Sequence, residues 1–161
     1  LGAALRHPER IAGLVLVDAM FYRAPTAQES PFVSGLRTHY EETLRRFVAA
    51  CVPEPDSEHL KAWGLKILSR ATPAEAIALF DAATGVDLRA DLARITQPVL
   101  IIHGERDVIV PLEQARALAA ALPHATLSVI AGAGHVPTVT RPAEIAEGMH
   151  RFLDAILGGA G

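Results

Sequence analysis

The chain has 161 residues, 50% of them hydrophobic and 20% charged, with a formal net charge of −3. That is ample apolar material for one packed domain, while the mildly acidic balance and scattered cations give no footprint for nucleic acid or an anionic membrane. No apolar run reaches the length of a membrane span, and the single cysteine, Cys51, excludes an intrachain disulfide.

Leu1 to His7 reads as the end of a helix already under way, stopped at Pro8, with no capping residue before it. The chain is therefore expected to begin inside a longer protein. The cytoplasm is the expected compartment, with a targeting signal upstream of Leu1 left open. Ile11 to Val17 is an almost continuous apolar run, as expected of a strand buried on both faces of a parallel sheet. Val99 to His103 and Thr126 to Ile130 repeat that pattern. Between the last two, Leu112, Ala115, Leu118, Ala119 and Leu122 recur at helical spacing. Ile145, Met149, Phe152, Leu153 and Ile156 do so after the third strand. The glycines at 158, 159 and 161 read as a natural, frayed tail. Strand, helix, strand, helix predicts an α/β fold of three parallel strands with flanking helices.

From Ala19 to Gly85 the rhythm breaks. Leu36, Tyr40, Leu44, Phe47, Val48 and Cys51 mark one helical stripe, and Leu60, Trp63, Ile67 and Leu68 a second, with Pro53 and Pro55 between them. Thr72, Pro73 and Glu75 open a third helix with a capping box and Pro at the first helical position. So long an insertion between strands predicts a helical cap over residues 19–85, leaving 1–18 and 86–161 to build the sheet.

Ligands of open α/β sheets bind beyond the carboxyl ends of the strands. Two polar stretches stand there, His103 to Pro111 after the second strand and Ala131 to Pro137 after the third. Asp107 and His135 are the candidate catalytic pair. A hydroxyl nucleophile needs a base, and the base needs a carboxylate to fix its tautomer and stabilise the imidazolium. The 28 positions between them leave room for one helix and one strand. Each alone has an ordinary explanation: an Asp after a strand caps a turn, and a His after glycines lies on a surface loop. Asp18, at the end of the first strand, is the rival acid and Glu105 a weaker one. His103 reads as a satisfied structural histidine, and His7, His124 and His150 fall at helix ends or on the surface. Val108, Ile109 and Val136 flank the pair and could form an apolar wall. Trp63, Phe47, Tyr40, Phe21 and Tyr22 are candidate lining residues of a cap, with packing between helices as the simpler role for each. The histidines lack metal-ligand spacing, and Gly132-Ala133-Gly134 lacks the rest of a dinucleotide loop, so neither metal nor cofactor is expected.

His7 to Asp18 (HPERIAGLVLVD), Pro98 to Pro111 (PVLIIHGERDVIVP), Gly132 to Pro137 (GAGHVP) and Arg141 to Glu144 (RPAE) together resemble the α/β-hydrolase superfamily, nearest its small capped carboxylesterases and lactonases. The resemblance implies that the three strands are the last three of that sheet and that Asp107 and His135 match the triad acid and base. It implies a small-molecule ester or lactone as substrate. The nucleophile elbow G-x-S-x-G is missing, because Ser34 has Phe32 where the first Gly is required and no other serine fits. If Leu1 to His7 ends the helix after the elbow, the serine lies roughly half a dozen residues before Leu1. The missing N-terminal half of the domain is then the partner these residues need.

Other readings stay open: an Asp nucleophile giving dehalogenase or epoxide-hydrolase chemistry, a cofactor-free haloperoxidase, or a non-catalytic binding module of the same fold. The 161 residues alone are expected to lack triad catalysis. They should also expose an apolar strand edge at Ile11 to Val17, and light scattering of the isolated polypeptide should show self-association; a monodisperse monomer would count against the unpaired edge.

Overall fold

A computed structural model describes residues 1–24 and 28–158; of the expected glycine tail, Gly159 and Gly161 lie outside them. Three parallel strands, β1 (Leu14–Val17), β2 (Val99–Gly104) and β3 (Ala125–Ile130), form one sheet in the order β1-β2-β3. In chain order the helices are α1 (Gly2–Arg6), α2 (Pro31–Thr38), α3 (Tyr40–Cys51), α4 (Glu58–Leu68), α5 (Pro73–Ala82), α6 (Leu112–Ala121), α7 (Pro137–Thr140) and α8 (Pro142–Gly158).

Only β2 is buried along its whole length. Its alternating side chains feed two cores, as a pleated strand requires. Val99 and Ile101 meet Ala115, Leu118 and Leu122 of α6, with Ala4, Leu92 and Ile95. Leu100 and Ile102 meet Ile145 of α8, with Met149 and Phe152 packed alongside. The sheet is thus a middle layer between α6 and α8.

The outer strands depart from the expected two-sided burial. β1 is half-buried throughout and Val129 of β3 is 41% exposed, because each pairs on one side only among the described residues. β1 is also shorter than the run Ile11 to Val17. Residues 8–10 form a 3-10 turn that takes the Ile11 N–H to the Pro8 carbonyl. The ladder starts where Leu14 finds its register partner Val99.

Between β1 and β2 the described chain is helical apart from short links. The single stripe expected over Leu36 to Cys51 is instead two helices, broken at His39 (φ −141°, ψ 56°). There the Thr38 hydroxyl bonds back to the Ser34 carbonyl at 2.9 Å, a local bond that competes with helix continuation. α2 starts where Ser30 Oγ accepts the Val33 N–H, with Pro31 following. α5 carries the expected capping box between Thr72 and Glu75. The two ends of the segment are tied antiparallel: Arg23 N–H bonds the Val86 carbonyl, and Leu88 N–H the Phe21 carbonyl.

Ile101, fully buried at the centre of β2, is the most sensitive point of this arrangement. Ile101→Ala should cost about 2–5 kcal/mol in chemical denaturation of the folded protein. Leu79→Ala, at a side chain 77% exposed, should change stability by less than about 0.5 kcal/mol.

Candidate active site

The C-terminal end of β2 and the loop after β3 meet across a gap too small for side chains. A Cβ on Gly104 would fall on the carbonyls of Gly134 and Ala133, and a Cβ on Gly134 would fall on the Pro53 ring and the Cys51 carbonyl. The loop after β3 is therefore held between the end of β2 and the residues that follow α3. Glu105 N–H bonds the Ile130 carbonyl, Arg106 N–H the Ala133 carbonyl, and His135 N–H the Cys51 carbonyl at 2.9 Å.

In that frame Asp107 and His135 meet. His135 Nδ1 donates to Asp107 Oδ2 at 2.8 Å, while Asp107 Oδ1 accepts the N–H groups of Ile109 (2.8 Å) and Val110 (2.9 Å). A proton on Nδ1 leaves Nε2 as the basic nitrogen of the neutral ring. The Asp107 side chain is fully buried and that of His135 a quarter exposed. Burial pushes the Asp107 carboxyl up, but His135 and the two backbone N–H donors outweigh it and hold the group below the usual carboxylate value. For His135, burial works against the charged ring, and the bond and charge of Asp107, with Asp18 behind it, raise the imidazole above its ordinary 6.5.

Asp18 does not bond His135. It ends β1 in the left-handed region (φ 44°), which Asp tolerates better than most residues. Its Oδ1 accepts the Gly104 N–H at 2.9 Å, and Oδ2 is buried without a partner. With so few donors, burial dominates and pushes its carboxyl up to about 6. His103 is fully buried and only half satisfied: Nε2 donates to the Val110 carbonyl at 2.8 Å, while Nδ1 has no hydrogen bond and stands 3.5 Å from Asp18 Oδ1. Glu105 lies on the surface and accepts the Gly132 N–H at 2.8 Å, away from the imidazole. Asp18, Asp107 and His135 offer ligand atoms within 4.8 Å of one another, spacing that could hold a metal, although Nδ1 and Oδ2 already bind each other.

The lining candidates separate. A groove of about 580 Å³ between α2 and α3 is lined by Phe32, His39, Arg46, Phe47, Ala50 and Ile109, among others, so Phe47 comes together with a residue two places beyond Asp107. Trp63 is 54% exposed on α4 and takes no part in it. Val108 is 67% exposed, and Val136 is half-buried at the start of α7. Phe21 joins the core under α6, while Tyr40 donates its hydroxyl to the Ala71 carbonyl at 2.6 Å. Two contributors lie where sequence reasoning saw only a helix end and a linker: the Cys51 carbonyl and Glu54, whose Oε1 accepts the Gly134 N–H at 3.0 Å. The Pro53-Glu54-Pro55 run marks a stiff connection but does not say what it touches. The Cys51 thiol, pushed up to about 12 by burial and then by Asp107, stays protonated at neutral pH and is no competing nucleophile.

Comparisons with known proteins agree with the fold. A family model described as the alpha/beta hydrolase family matches residues 1–148. The chain is similar to the pimeloyl-[acyl-carrier protein] methyl ester esterase of Nitrosomonas europaea, with 36% identity over 152 residues covering 86% of this chain and 60% of that protein. Among solved structures it is similar to a hydrolase from Pseudomonas aeruginosa (TM-score 0.83, 26% identity, 94% of this chain and 59% of that one). It is also similar to a bromoperoxidase from Bacillus anthracis (TM-score 0.82, 25% identity, 95% and 63%). The chain thus spans about three-fifths of each relative.

The two shifts make a pH prediction. A raised His135 stabilises the fold fully below about pH 6.5 and loses that effect as pH climbs through its folded value; a depressed Asp107 loses its effect as pH falls through its own. Histidine titration by NMR should place His135 above 6.5, and Asp107→Asn should bring it down. An unmoved titration would show that the pair is not coupled.

Proposed function

The chain belongs to the alpha/beta hydrolase family, and on that premise we propose that Asp107 and His135 are the acid and base of a triad that hydrolyses a carboxylic ester or lactone, with a serine supplied from outside these 161 residues. The observation that carries this reading is the Nδ1-to-Oδ2 bond of 2.8 Å, which leaves Nε2 free to act. His135 Nε2 removes the serine proton as the hydroxyl oxygen attacks the ester carbonyl. The proton passes to the departing alcohol as the C–O bond breaks, leaving an acyl-enzyme. Water repeats the sequence, giving its proton to Nε2 and releasing the acid and the serine. Asp107 remains ionised throughout, consistent with its lowered pKa.

Residues 19–85 then serve as a cap. The groove lined by Phe32, Phe47, Ala50 and Ile109 is the candidate acyl channel, mostly apolar with His39, Glu42 and Arg46 at its polar positions. The esterase name of the Nitrosomonas europaea relative supports ester chemistry over the dehalogenase, epoxide-hydrolase and binding-module readings. A perhydrolase that uses the same pair is the second reading, favoured by the likeness to the bromoperoxidase. No helix among the described residues is long and apolar enough to cross a membrane.

In the full-length protein, Asp107→Asn and His135→Ala should each lower kcat/KM for a short-chain ester by about 10³–10⁴-fold. Unchanged hydrolysis in either variant would remove that residue from the triad. Peroxide-dependent halogenation outrunning hydrolysis would move the protein to the second reading.

A further inference from the structure

Glu54 lies in the link between α3 and α4, yet it is only 3% exposed. A carboxylate is costly to bury and needs partners. One partner is the Gly134 N–H, 3.0 Å from Oε1, immediately before His135 in the chain. The neighbouring link is the His135 N–H itself, bonded to the Cys51 carbonyl. The N–H groups of Gly134 and His135 are therefore both held by residues 51–54. Glu54 is fixed in turn: Ser57 Oγ donates to its carbonyl at 2.5 Å, and prolines at 53 and 55 restrict the backbone on both sides. The Gly134 N–H and the positive charge of Arg141 favour its ionised form, while Oε2 is buried without a hydrogen-bond partner. Gly134 has no slack against it, since even a Cβ there would fall on Pro53.

We propose that Glu54 is a positioning residue for His135: its buried carboxylate, delivered by the helical segment, holds the N–H of Gly134, the residue before His135, so that the ring keeps its bond to Asp107. The inference rests on the reading of His135 as the base. It adds that the segment between β1 and β2 does more than cover the site, because it helps to orient the imidazole.

The test uses full-length Glu54→Ala and Glu54→Gln, read by kcat, KM and His135 titration in NMR. Glu54→Ala should lower kcat about tenfold or more with KM within about twofold, the scale expected of a small misplacement. It should also bring the His135 pKa down toward 6.5 as the Asp107 bond loosens. Glu54→Gln keeps an Oε1 acceptor for the Gly134 N–H and should recover most of both. If Glu54→Ala lowers only the melting temperature, leaving kcat and the titration alone, or if Gln is no better than Ala, the positioning role is overturned. Should Glu54→Ala not fold, Glu54→Asp, with its shorter arm, takes its place under the same criteria. The titration is independent of turnover. A wild-type protein without esterase activity but with a Glu54-dependent His135 shift would refute the base and keep the positioning.

Discussion

The close approach of two backbones at Gly104 and Gly134 fixes the geometry of the whole carboxyl edge of the sheet. Neither position has room for a side chain. Because the loop after β3 lies directly on the end of β2, the Ile130 and Ala133 carbonyls accept from the chain leaving β2, from the N–H groups of Glu105 and Arg106. Those bonds set the separation of the two loops, and with it the 2.8 Å between Asp107 and His135. Larger residues at either glycine would push the loops apart before any chemistry were affected directly.

Three carboxylates are buried nearby, and their different behaviour follows from the donors each receives. Asp107 collects two backbone N–H groups and an imidazole, and Glu54 the Gly134 N–H with the charge of Arg141 in support; both are held below the usual value. Asp18 receives one backbone N–H, so desolvation dominates and it rises to about 6. Depth of burial is similar for all three. The balance of donors and nearby charge against burial separates the two lowered carboxyls from the raised one.

The sheet was legible in the sequence because a strand covered on both faces is a nearly continuous apolar run, and β2 opens with four apolar residues, VLII, and is buried at every position. The order of the polar loops at the strand ends was legible for the same reason, since topology alone brings positions 107 and 135 to one edge. Exact extents were less accessible. Ile11 is apolar because it packs on the core, not because it joins the ladder, and pairing starts only at Leu14. The break at His39 interrupts an apolar stripe that is otherwise continuous in period. Trp63, a candidate lining residue with helix packing as its simpler role, stands 54% exposed. Glu54 was invisible for a deeper reason: its importance comes from a contact spanning 80 positions, and nothing local to a Pro-Glu-Pro run reports that.

The antiparallel tie between residues 21–23 and 86–88 closes the helical segment into a loop with a narrow stem. A stem of this kind insulates the sheet from what hangs on it, so helices could be lengthened, shortened or exchanged in evolution or in the laboratory without disturbing β1 or β2. The freedom has one boundary condition. On the positioning role proposed for Glu54, any replacement would have to return a carbonyl and a carboxylate to the places now held by Cys51 and Glu54. Interchangeable specificity and a shared orienting function would then be written into the same stretch of chain, and grafts chosen for substrate preference alone would lose it.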